Sequence, residues 1–214
     1  MRLHPDWVYG LPELGSSQRS QISMANRVAN PGCFAAAFIL LVHPLVESGV
    51  LSSDQIIHAF GTTGYSAGGK RMISDYETNG KSGAVHSLRR THRHVPEMRQ
   101  FSGLLNSPSF VASVGGHIEG LILTIPLPGY PRRSLTSVLQ DAYQSETLAS
   151  FIGECPNTLS PVSFKGNQIE IFVGGSDNHC TLVARMSNLL KGAATTAVQN
   201  LNLMLSLDEF TGLK

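Results

Sequence analysis

A long apolar run, Phe34-Ala35-Ala36-Ala37-Phe38-Ile39-Leu40-Leu41-Val42, follows Cys33 and continues to Leu45 and Val46. With Gly49 placed as a C-cap, it predicts a buried helix over residues 33–49. Pro44 has no backbone N–H to give to the preceding turn, so it is expected to bend this helix or end its first part. Residues 55–60 predict a strand that runs into a glycine-dense loop, 61–70. A helix is expected to open at Pro96-Glu97, with proline in its favoured first turn, and to run to about residue 105. Beyond it, alternation and apolar runs predict strands at 110–114, 118–127, 169–173 and 180–186, with a helix over 134–148 between them. A last helix over 188–205 sets Gly192, Ala193, Ala194 and Ala197 beside Leu189, Val198, Leu201 and Leu205, a face made for close packing. The segment through Arg27 is polar, Ser-rich and turn-prone and is expected as a lead-in, with Tyr9 to Leu14 as a place for an incoming strand to dock. No repeat is visible, so the pattern is a mixed α/β domain with strands outnumbering crossover helices.

The chain of 214 residues suits one domain with a sizeable core. Sixteen Lys plus Arg against fifteen Asp plus Glu give a net charge of +1, so no field steers nucleic acid or an anionic membrane to the surface. Three cysteines, Cys33, Cys155 and Cys180, form no Cys-x-x-Cys pair, which argues against a disulfide framework or a zinc knuckle and suits a reducing compartment. The first residues lack an apolar signal core, and no apolar run reaches the ~18 residues of a membrane span. A cytoplasmic protein is expected.

Cys33 is the candidate nucleophile. It follows Pro31-Gly32, a tight turn, and opens an apolar helix whose unpaired N–H groups and dipole favour a thiolate and can also hold an oxyanion. A lone cysteine is more commonly a core residue, and Cys155 and Cys180 are read as structural. A thiol nucleophile needs a proton carrier, and His92 and His94 are the candidates. Spaced by two, they would share one face of an extended segment with Arg93 on the other. Glu97 can orient a histidine; the same three residues can be read as a metal site, but no further ligand cluster accompanies them and no metal is expected. Gly64-Tyr65-Ser66-Ala67-Gly68-Gly69-Lys70 matches the spacing of a phosphate loop, but Arg71 stands where Ser or Thr should hold magnesium. The loop is therefore expected to cradle a substrate anion through its amides, without nucleotide hydrolysis. No Gly-x-Gly-x-x-Gly follows an early strand, so the chain shows no dinucleotide fold of its own.

Taken together, Val28-Ala29-Asn30-Pro31-Gly32-Cys33-Phe34, the loop from Thr63 to Lys70 and His92-Arg93-His94-Val95-Pro96-Glu97-Met98 closely resemble N-acetyl-gamma-glutamyl-phosphate reductases. The likeness extends to Tyr9-Gly10-Leu11-Pro12-Glu13-Leu14, to Leu190-Lys191-Gly192-Ala193-Ala194 and to Gln199-Asn200-Leu201-Asn202-Leu203, covering essentially the whole chain. The resemblance implies an α/β (α+β) fold like the C-terminal catalytic domain of glyceraldehyde-3-phosphate dehydrogenase, with a mixed, largely antiparallel sheet flanked by helices. Residues 1–214 would form a single catalytic and dimerisation domain, and the N-terminal Rossmann domain that binds NADP(H) in the family would be missing.

By the same resemblance, Cys33 attacks the acyl phosphate of N-acetyl-gamma-glutamyl phosphate to leave a thioester, and hydride from NADPH then gives the semialdehyde. His94 is the implied acid/base, oriented by Glu97, with His92 contacting substrate or sharing that duty. Asn30, Gly64, Ser66, Gly68 and Lys70 are implied to bind substrate, and Asn200 to contact the cofactor. A homo-oligomer, dimer or tetramer, is expected, with no nucleic-acid or membrane partner. The chain departs from the family where Ala35, Ala36 and Ala37 stand in place of a frequent Thr, and where His86 replaces a frequent Tyr. A cofactor-independent acyl phosphatase or esterase, and a noncatalytic oligomerisation module, remain alternative readings.

Overall fold

The structure, a computed structural model, describes residues 2–88, 91–162, 164 and 166–213. The basic pair Arg89-Arg90 lies outside the described residues. Two short strands, β1 (Val8–Tyr9) and β2 (Val28–Ala29), pair in parallel and bracket helix α1 (Ser16–Ser23). The polar pattern hides α1, which buries only Ile22. Its anchors come from far along the chain: Arg19 pairs with Glu146 at 2.6 Å and with Glu209 at 2.8 Å.

Helix α2 (Cys33–Glu47) is the spine of the core, buried continuously from Phe34 to Val42. It passes through Pro44 without a break, contrary to the sequence expectation. Pro44 cannot donate to the Leu40 carbonyl, and the buried Tyr143 hydroxyl donates to that carbonyl instead. The lost rung of the helix is thus supplied from outside. Tyr143→Phe is expected to leave the Leu40 carbonyl unpaired and to lower stability by about 1–3 kcal/mol in urea unfolding. Past the end of α2, Gly49 takes a left-handed φ of +74°, and its amide bonds the Val46 carbonyl, as its C-cap placement predicts.

The remaining strands are β3 (His58–Thr63), β4 (Gly83–His86), β5 (Ser109–Gly115), β6 (Leu121–Pro128), β7 (Ala149–Glu154), β8 (Ile169–Ser176) and β9 (His179–Met186). They form one seven-stranded sheet in the order β4-β5-β3-β6-β9-β8-β7. Only β3 with β5 and β7 with β8 run parallel; the other neighbours are antiparallel. This is the mixed, largely antiparallel sheet that the family resemblance implies. On one face Leu121, Leu123, Ile125, Leu182, Ala184, Ile169 and Ile171 are buried beneath α2 and helix α5 (Arg132–Tyr143). Helices α3 (Gly69–Asn79), α4 (Val95–Ser102) and α6 (Thr195–Met204) complete the fold, α6 being preceded by a π-turn at Leu190–Ala194.

The glycine-dense segment divides three ways. Residues up to Thr63 belong to β3, Tyr65–Gly68 make a 3-10 turn, and α3 begins at Gly69. Its glycines mask the helical stripe of Met72, Ile73 and Tyr76 that packs inward. Near the C-terminus the Lys191 ammonium is buried against Glu13 at 2.6 Å and Gln199 at 2.9 Å. Burial works against the Glu13 carboxylate, but Lys191 outweighs it and holds Glu13 below its ordinary range. This pair fastens the π-turn to the segment ahead of α1.

Candidate active site

Cys33 is the first residue of α2, half-buried, with Gly32 as N-cap. Two glycines let other elements close on it. A Cβ on Gly192, in the π-turn, would stand 2.9 Å from the Cys33 Cβ. A Cβ on Gly32 would stand 2.2 Å from His94 Nε2. The His94 ring therefore lies flush against the turn that presents the thiol, and only glycine permits this approach.

His94 caps α4 and is 3% exposed, with both ring nitrogens unpartnered among the described residues. Burial, then His92, Arg2 and Arg93, push its pKa down to about 3, so the imidazole is neutral at working pH. His92 is perpendicular to it, with ring centroids 4.7 Å apart, and its Nδ1 accepts the His94 amide at 3.2 Å. Burial, with the nearby Arg93 and His86, also lowers His92.

Glu97 takes a part different from the one expected. Its Oε2 accepts the Gly32 amide at 2.9 Å and the Tyr9 hydroxyl at 3.0 Å, and its Oε1 accepts Arg2 at 3.0 Å. No hydrogen bond joins it to a histidine among the described residues. The carboxylate orients the turn ahead of Cys33 rather than the imidazole, because Gly32 brings a buried donor that must be satisfied.

Cys33 also departs from the expectation of an intrinsically lowered pKa. Burial pushes the thiol up, and this outweighs the Phe34 amide, the Arg93 charge and the Cys33 amide that pull it down. The resting pair is thus a thiol beside a neutral imidazole. Iodoacetamide labelling of Cys33 should rise with pH through a midpoint above the free-thiol value of ~8.5. A midpoint below that value would mean a resting thiolate–imidazolium pair.

A cavity of about 450 Å³ opens here, lined by Cys33, His92, His94 and Arg93 and floored by Ala112 and Val114 of β5. Arg93 was expected to point away from the histidines. Alternation holds for extended backbone only, and this segment is a turn leading into His94 with φ −87° and ψ −13°. Of the predicted loop, Thr63, Ala67 and Gly68 line the cavity, while Gly64, Ser66 and Lys70 do not. The Gly64, Tyr65, Ser66 and Ala67 amides are already spent on the carbonyls of Gly120, His117, Ile118 and Gly64. This part of the loop is a clasp, not an amide cradle. Ser66 accepts Asn188 Nδ2 at 2.9 Å, and Lys70 is exposed on α3.

Asn30 and Asn200 support the turn from the other side. Asn200 Nδ2 donates to the Gly10 carbonyl at 2.9 Å and to Asn30 Oδ1 at 3.0 Å, and Asn30 Nδ2 donates to the Ala193 carbonyl at 3.0 Å. Asn200 Oδ1 remains buried without a partner among the described residues.

This geometry can be set beside known proteins. Residues 33–188 match the family described as semialdehyde dehydrogenase, dimerisation domain. The chain is 38% identical to an N-acetyl-gamma-glutamyl-phosphate reductase of Trichormus variabilis over 234 residues, covering 97% of this chain and 72% of that protein. It is 37% identical to N-acetyl-gamma-glutamyl-phosphate reductase 2 of Nostoc sp., with the same coverage. The chain belongs to the N-acetyl-gamma-glutamyl-phosphate reductase family. The fold is also that of more distant proteins. Aspartate semialdehyde dehydrogenase from Francisella tularensis superposes with a TM-score of 0.70 at 11% identity, covering 95% of this chain and 72% of that one. Aspartate semialdehyde dehydrogenase II from Vibrio cholerae gives 0.67 at 16% identity, covering 96% and 70%.

Within this family member, the residues that the sequence brought forward separate, with Gly64, Ser66 and Lys70 away from the cavity and the others in two sets. Cys33, His92, His94 and Gly68 meet at the cavity, whereas Asn30, Glu97 and Asn200 brace the turn behind Cys33. Sequence reasoning did not single out Thr63 or Phe34 as cavity residues. Phe34 is in plain view as the residue after Cys33, and its ring lies over Gly61, where a Cβ would come within 2.4 Å. Thr63 carries no local signal, since it is simply the last residue of a strand.

Proposed function

We propose that this chain is the catalytic part of an NADP-dependent reductase that converts N-acetyl-gamma-glutamyl phosphate to N-acetylglutamate 5-semialdehyde, releasing phosphate, in cytoplasmic arginine biosynthesis. The observation that carries this reading is Cys33 at a helix start sharing one cavity with the neutral, unpartnered imidazole of His94. In the first half-reaction His94 accepts the thiol proton as sulfur attacks the acyl carbon. The C–S bond forms, the acyl C–O bond to phosphate breaks, and inorganic phosphate leaves. Amides at the start of α2 face the oxygen on which charge develops. Arg93, a guanidinium on the cavity wall, supplies positive charge for the phosphoryl group.

When bound, NADPH would supply hydride to the thioester carbonyl carbon. The unpartnered Oδ1 of Asn200, bonded through its amide nitrogen to Asn30 ahead of Cys33, fits an amide donor such as the nicotinamide carboxamide. The C–S bond would then break as the alkoxide collapses to the aldehyde, and protonated His94 would return its proton to the departing sulfur, regenerating the Cys33 thiol. The chain covers 72% of the length of its two reductase relatives, and the dinucleotide is proposed to be held with a nucleotide-binding domain of the family. The match to a dimerisation domain supports a homo-oligomer, and Phe60, Val111 and Ile152, exposed on strands of the sheet, offer it apolar surface.

The test is incubation with N-acetyl-gamma-glutamyl phosphate without NADPH, followed by mass spectrometry of the peptide bearing Cys33. One equivalent of phosphate and an N-acetylglutamyl adduct on Cys33 are expected. No adduct would overturn the reading, and continuous phosphate release would make the chain a hydrolase instead.

A further inference from the structure

Among the described residues, three buried polar groups on one cavity have nothing to bond. Besides His94, they are Thr63, 2% exposed with Oγ1 unpartnered, and the buried Nε2 of His86, both without partners among the described residues. A buried hydroxyl or ring nitrogen left unpaired costs about 1–3 kcal/mol, so such a group facing a cavity marks where a ligand atom belongs.

The sheet register places the two groups relative to each other. His86 of β4 lies opposite Ala112 of β5, and Thr63 of β3 lies opposite Val114 of the same strand. Ala112 and Val114 are two residues apart, so His86 and Thr63 share their face of the sheet, with β5 between them. By ordinary sheet dimensions their Cα atoms are about 12 Å apart. They cannot grip one atom. They can hold the two ends of a short polar group lying across the small floor at Ala112, which is 4% exposed.

Both groups are hydrogen-bonding partners, and among the described residues the cavity lining carries the Arg93 guanidinium. A carboxylate or phosphate suits Arg93, whereas a neutral group that both donates and accepts suits a hydroxyl and an imidazole. We propose that Thr63 and His86 form the subsite for a secondary amide of the substrate, the N-acylamino group, and so set the preference for an N-acylated over a bare dicarboxylic chain. This rests on the function proposed above for the same cavity. One partner donates to the amide oxygen and the other accepts from the amide N–H. An unacylated chain leaves both buried groups unpaired, which is the arrangement that gives strong discrimination.

Calorimetric binding of N-acetyl-L-glutamate and of glutarate, which lacks the acylamino group, tests the subsite without any thiol chemistry. The chain is expected to bind N-acetyl-L-glutamate at least about tenfold more tightly. In Thr63→Val, which keeps the side-chain shape, and in His86→Phe, that ratio should shrink about tenfold or more, with the loss falling mainly on N-acetyl-L-glutamate. Equal losses for both ligands, an unchanged ratio in both variants, or no preference in the unmodified chain would overturn the assignment. A Cys33 that forms no thioester would sink the proposed reaction but not this result, because neither ligand reacts.

Discussion

Glu97→Ala is expected to cost about 3–5 kcal/mol of stability and to slow acylation of Cys33 at least about a hundredfold. One carboxylate oxygen holds both the Gly32 amide and the Tyr9 hydroxyl, and alanine leaves these two buried donors with no acceptor. Gly32 then loses the bond that sets the entry into α2, and Cys33, the next residue, moves with it. Melting temperature should fall by roughly 6–20 °C for a domain of this size. Glu97→Gln separates geometry from charge. Its carbonyl oxygen has two lone pairs and can take both donors, so most of the stability and acylation rate should return. The lost partner is Arg2, whose side chain is 37% exposed, so little depends on it. If glutamine behaves as badly as alanine, the carboxylate acts through its charge and not by holding the turn.

Gly32→Ala is expected to have the second large effect, by a steric route. The backbone at Gly32, φ −74° and ψ 144°, suits alanine as well as glycine, so no conformational strain arises there. The obstacle is the His94 ring, 2.2 Å from the position a Cβ would occupy. His94 is buried between this turn and the ring of His92, so the contact can be relieved only by displacing the imidazole or the thiol. Overpacking should cost about 1–3 kcal/mol in denaturation. Acylation of Cys33, followed by adduct mass, should fall about a hundredfold for a displacement near 1 Å. An alanine variant that acylates at the original rate would show that His94 need not touch this turn for the thiol to react.

The two variants probe one design. Glu97 and His94 both come from the start of α4, and α4 packs against α2, whose first residue is Cys33. A few residues around position 95 therefore supply both the imidazole beside the turn and the acceptor that fixes it. The price of this compactness is desolvation, which raises the Cys33 thiol and lowers the His94 imidazole, so that both rest uncharged. In the proposed reaction the helix start would still supply amides to an oxyanion, even though it does not prevail over burial at the sulfur.

The sequence by itself determined the parts of this protein whose physical causes are local. A Pro-Gly turn before an apolar run placed Cys33 at a helix start, and period-two alternation located β6, β8 and β9 within a few residues, as did the C-cap at Gly49. The motifs around Cys33, His92 and His94 identified the family. The tertiary structure alone decided whatever depends on distant partners. Pro44 stays inside α2 because Tyr143, some hundred residues away, donates to the Leu40 carbonyl. Helix α1 exists despite its polar sequence because Arg19 meets Glu146 and Glu209. Glu97 serves Gly32 rather than a histidine, Arg93 shares the cavity wall with His92 and His94, and the amides from Gly64 to Ala67 are spent on the 117–120 segment and on Gly64 itself. The reason is the same in each case. Spacing along a chain dictates which face a side chain takes, whereas hydrogen-bond partners and desolvation are properties of the assembled interior.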